Sequence, residues 1–259
     1  IILCGGEGTR LWPKCTSNEP KQFINFGGWT LIDKTLNRIK APIFDYPIIS
    51  TNNKYLSQVK SSLKKSKIKK YKIVLEPIKK NTAPAVLSTA LINDIPYNQP
   101  LIYFSADHLL EKKSIFINTI KKTSSKLNDK NIFIFGIKPT SPSSEYGYFL
   151  TKKLKNNTNK VLKFFEKPNT SMAKQLIKKN GYWNSGIFFL RKDSIINNFK
   201  EYYPNILKNC QLSVNKSKYK KHTYYLNKDA FNKCVQKSFD YAILEKSNDI
   251  NAIKLDIPW

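Results

Sequence analysis

Five apolar runs of strand length, at residues 1–4, 47–50, 71–75, 101–105 and 132–136, are separated by stretches of helical pattern at 31–40, 53–65, 82–95 and 114–127. A chain that alternates in this way buries its strands between helices. The pattern therefore predicts βαβ units, an α/β fold and a largely parallel sheet. The helix at 82–95 has the fullest signature. Thr82 is a candidate cap, Pro84 lies in the first turn, and Ala83, Ala85 and Ala90 are good helix formers. After Gly136 the rhythm changes. Pro139, Pro142 and a serine-rich stretch lead to Tyr146-Gly147-Tyr148 and a hairpin-like pair at 148–154 and 161–166, joined by polar residues 155–160. One more apolar run follows at 187–190. This predicts a substrate-facing α+β part built onto the first sheet, with the division near residue 136.

Composition narrows the classes. With 259 residues, 41% hydrophobic and 13% aromatic, the chain can bury a real core as one large or two small domains. No apolar run approaches the roughly 18 residues of a membrane-spanning helix. The chain opens on an apolar run without Met, which predicts no signal peptide and a few missing upstream residues. The net charge of +27 invites a nucleic-acid reading, but of 45 basic residues only Arg10, Arg38 and Arg191 are arginine. Readers of base edges rely on guanidinium forks that Lys does not replace. No specific nucleic-acid partner is expected, and the lysine-dense stretches at 60–72 and 216–221 read as solvated helix faces or loops. Such a field also suits a phosphorylated small substrate. The cysteines, Cys4, Cys15, Cys210 and Cys234, form neither a C-x-x-C pair nor a zinc spacing. A reducing, cytoplasmic setting without disulfides is expected, and Cys4 reads as a small core residue.

The strongest chemical signal is Gly5-Gly6-Glu7-Gly8-Thr9-Arg10-Leu11, directly after the first apolar run. Glycines let backbone amides approach phosphate closely, and Arg10 adds a fork matched to phosphate oxygens. The loop is neither a Walker A motif nor G-x-G-x-x-G. A ligand-free glycine turn is the poorer reading of three glycines and an Arg at a strand exit. Lys21, in Pro20-Lys21-Gln22-Phe23, reaches the same loop if the chain between folds back. The run at 101–105 ends in Ala106-Asp107-His108, which places a carboxylate where open α/β sheets bind ligands. Asp107 suits Mg²⁺, which takes one or two carboxylates plus substrate phosphates; it equally suits a loop cap. His108 reads as structural. At the tip of the next run, Glu166-Lys167 is either a surface ion pair or a hydroxyl acceptor beside a phosphate-neutralising cation. Asn184, in Trp183-Asn184-Ser185-Gly186, either binds a hydroxyl or forms a turn.

Together these segments resemble bacterial mannose-1-phosphate guanylyltransferases. They occur in order with Trp12-Pro13, Glu76-Pro77, Asn81-Thr82-Ala83-Pro84-Ala85 and Phe239-Asp240-Tyr241-Ala242, then Glu245-Lys246, and cover essentially the whole chain. The glycine loop and Glu166-Lys167-Pro168 are common to sugar-nucleotide pyrophosphorylases. The Asn81–Ala85 and Trp183–Gly186 segments are more particular to the mannose branch. The resemblance implies a Rossmann-like nucleotide-diphospho-sugar transferase fold, with a mostly parallel mixed sheet flanked by helices. It implies a Mg²⁺-dependent reaction in which GTP and mannose 1-phosphate give GDP-mannose and pyrophosphate. By resemblance, residues 1–136 bind nucleotide and 137–259 bind sugar phosphate. Gly5, Gly6, Gly8, Thr9 and Arg10 cradle the triphosphate, Lys21 stabilises phosphate charge and Asp107 holds the metal. Glu76, Asn81 and Thr82 are candidates for base selection. Gly147, Glu166, Lys167 and Asn184 line the sugar pocket, Lys167 against the phosphate. A homodimer would be ordinary for such a protein.

Several positions depart from the family pattern. Lys80 stands in place of a frequent Arg, Ser105 in place of Pro, and Thr16 in place of Arg. The pattern continues past Trp259 into a segment carrying a second metal carboxylate. This predicts a fragment that binds nucleotide but turns over poorly until extended. Alternatives are a pyrophosphorylase for another nucleotide and hexose 1-phosphate, a non-catalytic sugar-nucleotide sensor, and, least favoured, a nucleic-acid binder.

Overall fold

Side chains on a strand point alternately to opposite faces, so a strand buried on both sides must be apolar throughout. The computed structural model, which describes residues 1–6, 20–110, 112–154 and 159–256, realises this rule. In chain order the elements are β1 (Ile2–Leu3), α1 (Leu31–Arg38), β2 (Ile48–Asn52), α2 (Leu56–Lys65), β3 (Lys72–Glu76), α3 (Thr82–Ala90), β4 (Pro100–Ser105), α4 (Lys113–Ser124) and β5 (Ile132–Ile137). There follow β6 (Tyr148–Lys153), β7 (Asn159–Phe165), α5 (Thr170–Lys178), β8 (Tyr182–Arg191), α6 (Lys192–Tyr202), α7 (Pro204–Asn215), β9 (Lys218–Lys220), β10 (Thr223–Tyr225), α8 (Lys228–Asn232) and β11 (Ile250–Leu255). Ile49, Ile73, Ile102 and Phe104 enter one core with Ile32, Leu36, Val59 and Leu63 of α1 and α2. Their neighbours Ile48, Val74, Leu101 and Tyr103 enter the other with Val86, Leu87 and Ala90 of α3.

One sheet runs through the molecule in the order β5-β11-β7-β6-β8-β4-β1-β2-β3-β10-β9, with a further β5–β8 pairing. The strands β3-β2-β1-β4 are all parallel. The chain steps outward from β1 to β3 with α1 and α2 on one face, then returns to β4 with α3 on the other. Right-handed crossovers require that change of face. Beyond β4 the pairing is mixed. β8 runs antiparallel to β4, β5 and β6, and the pairings β8–β5, β5–β11, β11–β7, β7–β6 and β6–β8 close into a ring. Both parts of the chain share the sheet: β10 adds to β3, and β11 to β5.

Several expectations are corrected. The run at 187–190 is only the apolar half of β8, because Asn184 and Ser185 are polar residues inside the strand; Asn184 pairs with Gly136 rather than forming a turn. Thr82 opens α3 but does not cap it. Asn81, at φ 66°, accepts the Thr82 amide through Oδ1 at 2.8 Å. The helix stops at Ala90, and the chain turns through Asn93, Asp94 and Pro96 before β4. Residues 218–220 of the second lysine-dense stretch form the exposed strand β9, where lysines discourage pairing along a free edge. Lys72 is buried, not solvated, and pairs with Asp94 beside the rings of Tyr46 and Tyr224. Elements α5–α8 and β9–β11 were not predicted, although α5–α7 carry a helical periodicity at least as clear as that of α3 and α4. Cys4, Cys210 and Cys234 are buried free thiols, and Cys15 lies outside the described residues. Among the described residues no helix is long and apolar enough to cross a membrane.

Candidate functional site

The reversal of strand order between β1 and β4 opens a crevice at their carboxyl ends, the usual ligand position in open α/β sheets. β1 delivers Gly5 and Gly6 there, and β4 delivers Asp107. Lys21 opens a short 3₁₀ turn, Lys21–Phe23, that is tied to the glycine loop by Gln22, whose Nε2 donates to the Gly6 carbonyl at 2.9 Å. This turn brings Lys21 Nζ to 3.4 Å from Asp107 Oδ2, with the two side chains 37% and 32% exposed. Ser105 Oγ donates to Asp107 Oδ1. Burial pushes the Asp107 carboxyl up, but His108, Ser105 and Lys21 outweigh it and hold the group below its ordinary value. The result is an ionised carboxylate paired to a cation, both open to solvent. His108 is the opposite case. Burial pushes its imidazole down to about 4, so it is neutral at pH 7. Its carbonyl accepts from Arg38 Nη2 at 2.7 Å, and its ring lies 3.6 Å from where a Cβ on Gly186 would stand.

Beside the glycine loop, Glu76 ends β3. Its Oε1 accepts from Ser50 Oγ at 2.7 Å and lies 3.9 Å from the position a Cβ on Gly5 would take. Burial raises its carboxyl to about 7, against the lowering effect of Ser50. The folded chain therefore holds a proton that the unfolded chain, with an ordinary value of 4.5, releases. Stability is expected to fall as pH rises from about 4.5 through about 7, by on the order of 3 kcal/mol on this account. Glu76→Gln should flatten that slope and melt higher than the parent above pH 7, which a series of melting temperatures against pH would read. Asn81 and Thr82 lie a little further along and both serve the backbone. Asn81 caps α3, and Thr82 Oγ1 accepts the Phe239 amide at 2.8 Å.

A second cluster forms where β6, β7 and β8 meet. The Gly147 carbonyl accepts the Asn184 amide at 2.7 Å. A Cβ on Gly147 would lie 2.8 Å from Glu166 Oε2, 3.0 Å from Phe164 Cζ and 3.4 Å from the Asn184 Cβ, so any side chain here would displace the Glu166 carboxylate. Lys167 Nζ stands 3.9 Å from Glu166 Oε1, with Lys167 in the left-handed region at φ 46°. Asn184 Oδ1 accepts the Gly186 amide at 3.2 Å, and its Nδ2 donates to Asp240 Oδ1 at 2.8 Å. Because Gly186 lies against His108, this cluster adjoins the Asp107 end of the crevice.

Of the predicted residues, Gly5, Gly6, Lys21, Glu76 and Asp107 gather at one end of the sheet, and Gly147, Glu166, Lys167 and Asn184 gather beside them. Gly8, Thr9 and Arg10 lie outside the described residues. Sequence reasoning missed Ser50, Gln22 and Asp240. Gln22 and Asp240 had a signal, since they lie in the quoted Pro20-Lys21-Gln22-Phe23 and Phe239-Asp240-Tyr241 segments, whereas Ser50 had none. Among the described residues no group of three or more His, Cys, Asp or Glu could hold a metal. Asp107 alone, ionised and partly exposed, fits an ion such as Mg²⁺ that leaves most of its coordination to substrate and water.

The family model described as nucleotidyl transferase matches residues 1–235. A mannose-1-phosphate guanylyltransferase of Escherichia coli is 34% identical over all of this chain and 58% of its own length. The xanthan biosynthesis protein XanB of Xanthomonas campestris is 32% identical over all of this chain and 56% of its own. The chain thus spans a little over half the length of these curated relatives. The solved structure of a mannose-6-phosphate isomerase from Helicobacter pylori superimposes with a TM-score of 0.83 at 26% identity, covering all of this chain and 98% of that one. A mannose-1-phosphate geranyltransferase from Thermus thermophilus also reaches 0.83, over all of this chain and 74% of that one, and at 22% identity it supports the fold alone.

Proposed function

Because the chain belongs to the nucleotidyl transferase family, we propose that it joins GTP to mannose 1-phosphate, giving GDP-mannose and pyrophosphate. The observation that carries this reading is the meeting, through the His108–Gly186 contact, of the Lys21–Asp107 pair with the Gly147–Glu166–Lys167–Asn184 cluster. An oxygen of the sugar phosphate attacks the α-phosphorus of GTP, the bond to the β-phosphate oxygen breaks, and pyrophosphate leaves. Such a transfer needs positioning and charge neutralisation rather than a protein nucleophile. Gly5 and Gly6, with Gly8, Thr9 and Arg10, cradle the triphosphate. Lys21 draws phosphate charge toward the reacting centre. Asp107 is the residue that would hold Mg²⁺, which supplies charge neutralisation across the phosphate oxygens when bound. Lys167 faces the sugar phosphate, and Glu166 and Asn184 accept and donate to sugar hydroxyls. In this reading Glu76, beside Gly5, is the candidate acceptor for the base.

The test is Mg²⁺-dependent pyrophosphate release with mannose 1-phosphate, comparing GTP with ATP, UTP, CTP and dTTP. Release with GTP alone is expected. Release with another nucleotide would overturn the guanine assignment and keep the reaction class. Silence with every nucleotide and with other hexose 1-phosphates would sink the reading for this chain.

A further inference from the structure

Asn184 reaches its place in the cluster with every fixed contact of its amide satisfied by the protein. Its Oδ1 accepts from Gly186 and its Nδ2 donates to Asp240. Flipping the amide would set an oxygen against the Asp240 carboxylate and an N–H against the Gly186 N–H, so only one orientation is tolerated. The amide then has one N–H and one lone pair left, and both have a defined direction. Asp240 itself is held in place. It opens a π-helical turn, Asp240–Leu244, and the segment before it is stitched to the start of α3. The Lys237 amide donates to the Lys80 carbonyl at 3.2 Å, the Ala83 amide to the Lys237 carbonyl at 3.0 Å, and the Phe239 amide to Thr82 Oγ1 at 2.8 Å. One short strap therefore runs from the segment assigned to the nucleotide side to the amide assigned to the sugar side.

We propose that Asp240 is a positioning residue for the sugar: through its hydrogen bond it fixes the Asn184 amide in the orientation that reads a sugar hydroxyl, and the strap 237–240 sets Asp240 in place. The inference rests on the proposed function. Burial raises the Asp240 carboxyl to about 6, opposed by its own backbone and by Lys167 and Asn184. A buried carboxyl kept at this position despite that penalty is consistent with a role beyond packing.

GDP-mannose shares GDP's nucleotide contacts and adds those of the sugar, so the ratio of their affinities isolates the sugar side. Calorimetry on the intact protein should find GDP-mannose bound more tightly than GDP. Asp240→Ala, which removes the acceptor and frees the amide, is expected to weaken GDP-mannose about tenfold, the equivalent of about 1.4 kcal/mol, and to leave GDP within about twofold. Asp240→Asn keeps an oxygen that accepts from Asn184 Nδ2, and should restore GDP-mannose binding to within about threefold of the parent. Retained GDP binding doubles as the folding control for each variant. Equal weakening of GDP and GDP-mannose by Asp240→Ala would overturn the proposal, as would no weakening of either. An Asp240→Asn variant as weak as Asp240→Ala would overturn it too. A parent protein that binds neither ligand and releases no pyrophosphate would instead overturn the functional reading, and the inference with it.

Discussion

Replacing Asp107 with Asn is expected to lower pyrophosphate release by about 10²–10³-fold, the scale seen when a group that stabilises transition-state charge is lost. The melting temperature should hardly move. Asn is nearly isosteric and still offers an oxygen to Ser105 Oγ. The Lys21–Asp107 pair is partly exposed on both sides, so its loss costs at most about 1 kcal/mol of stability. Rate and stability therefore separate. The carboxylate is held below its ordinary value, so Asp107 stays charged through neutral pH and contributes no limb to a pH–rate profile there. A limb near pH 7 is instead expected from Glu76, and should disappear in Glu76→Gln. An Asp107→Asn protein that turned over at the parental rate would show that this carboxylate does not face the reacting phosphates.

The largest stability effect is expected at Gly136. A Cβ there would fall 2.5 Å from Phe149 Cζ and 3.0 Å from Tyr182 Cβ. Phe149 is fully buried and stacked on the half-buried Tyr182, with ring centroids 6.0 Å apart, so the Phe149 ring cannot step aside into solvent. Gly136→Ala should cost about 1–3 kcal/mol, and Gly136→Val more. At about 2–4 °C per kcal/mol for a chain approaching this size, the shift is readily measured. Gly136 also faces Asn184 across the β5–β8 pairing, where the register shifts between Ile134 and Gly136. Destabilisation should thus be accompanied by weaker sugar binding. Gly6→Ala is the contrast, since among the described residues nothing lies within 4 Å of its Cβ position; it should leave stability unchanged. Equal melting temperatures for Gly136→Ala and the parent would refute the packing described around β5.

The residues at strand exits were legible because the signal is local. An apolar run of four or five residues marks a strand, and the polar residue after it marks the end that carries ligands. Asp107 after β4 and Glu166-Lys167 after β7 follow from that rule alone. Asn184 was legible as chemistry but not as structure, because two polar residues within β8 disguised its first half as a turn. Asp240 was hidden for a different reason. Its partner Asn184 is 56 residues away, and the strap that places it is anchored more than 150 residues away at Thr82. Ser50 and Glu76, 26 residues apart, meet only because β2 and β3 are neighbours in register.

Taken alone, the amino-acid sequence determined the α/β alternation, the glycine loop after β1 and the acidic residue after β4, since periodicity, glycine and strand ends act over a few residues of backbone. The tertiary structure decided which strands close the ring, which amide orientation Asn184 takes and which cation meets Asp107. Those outcomes depend on which apolar faces can be buried together and which polar groups are then left to satisfy one another, and no short segment carries that information.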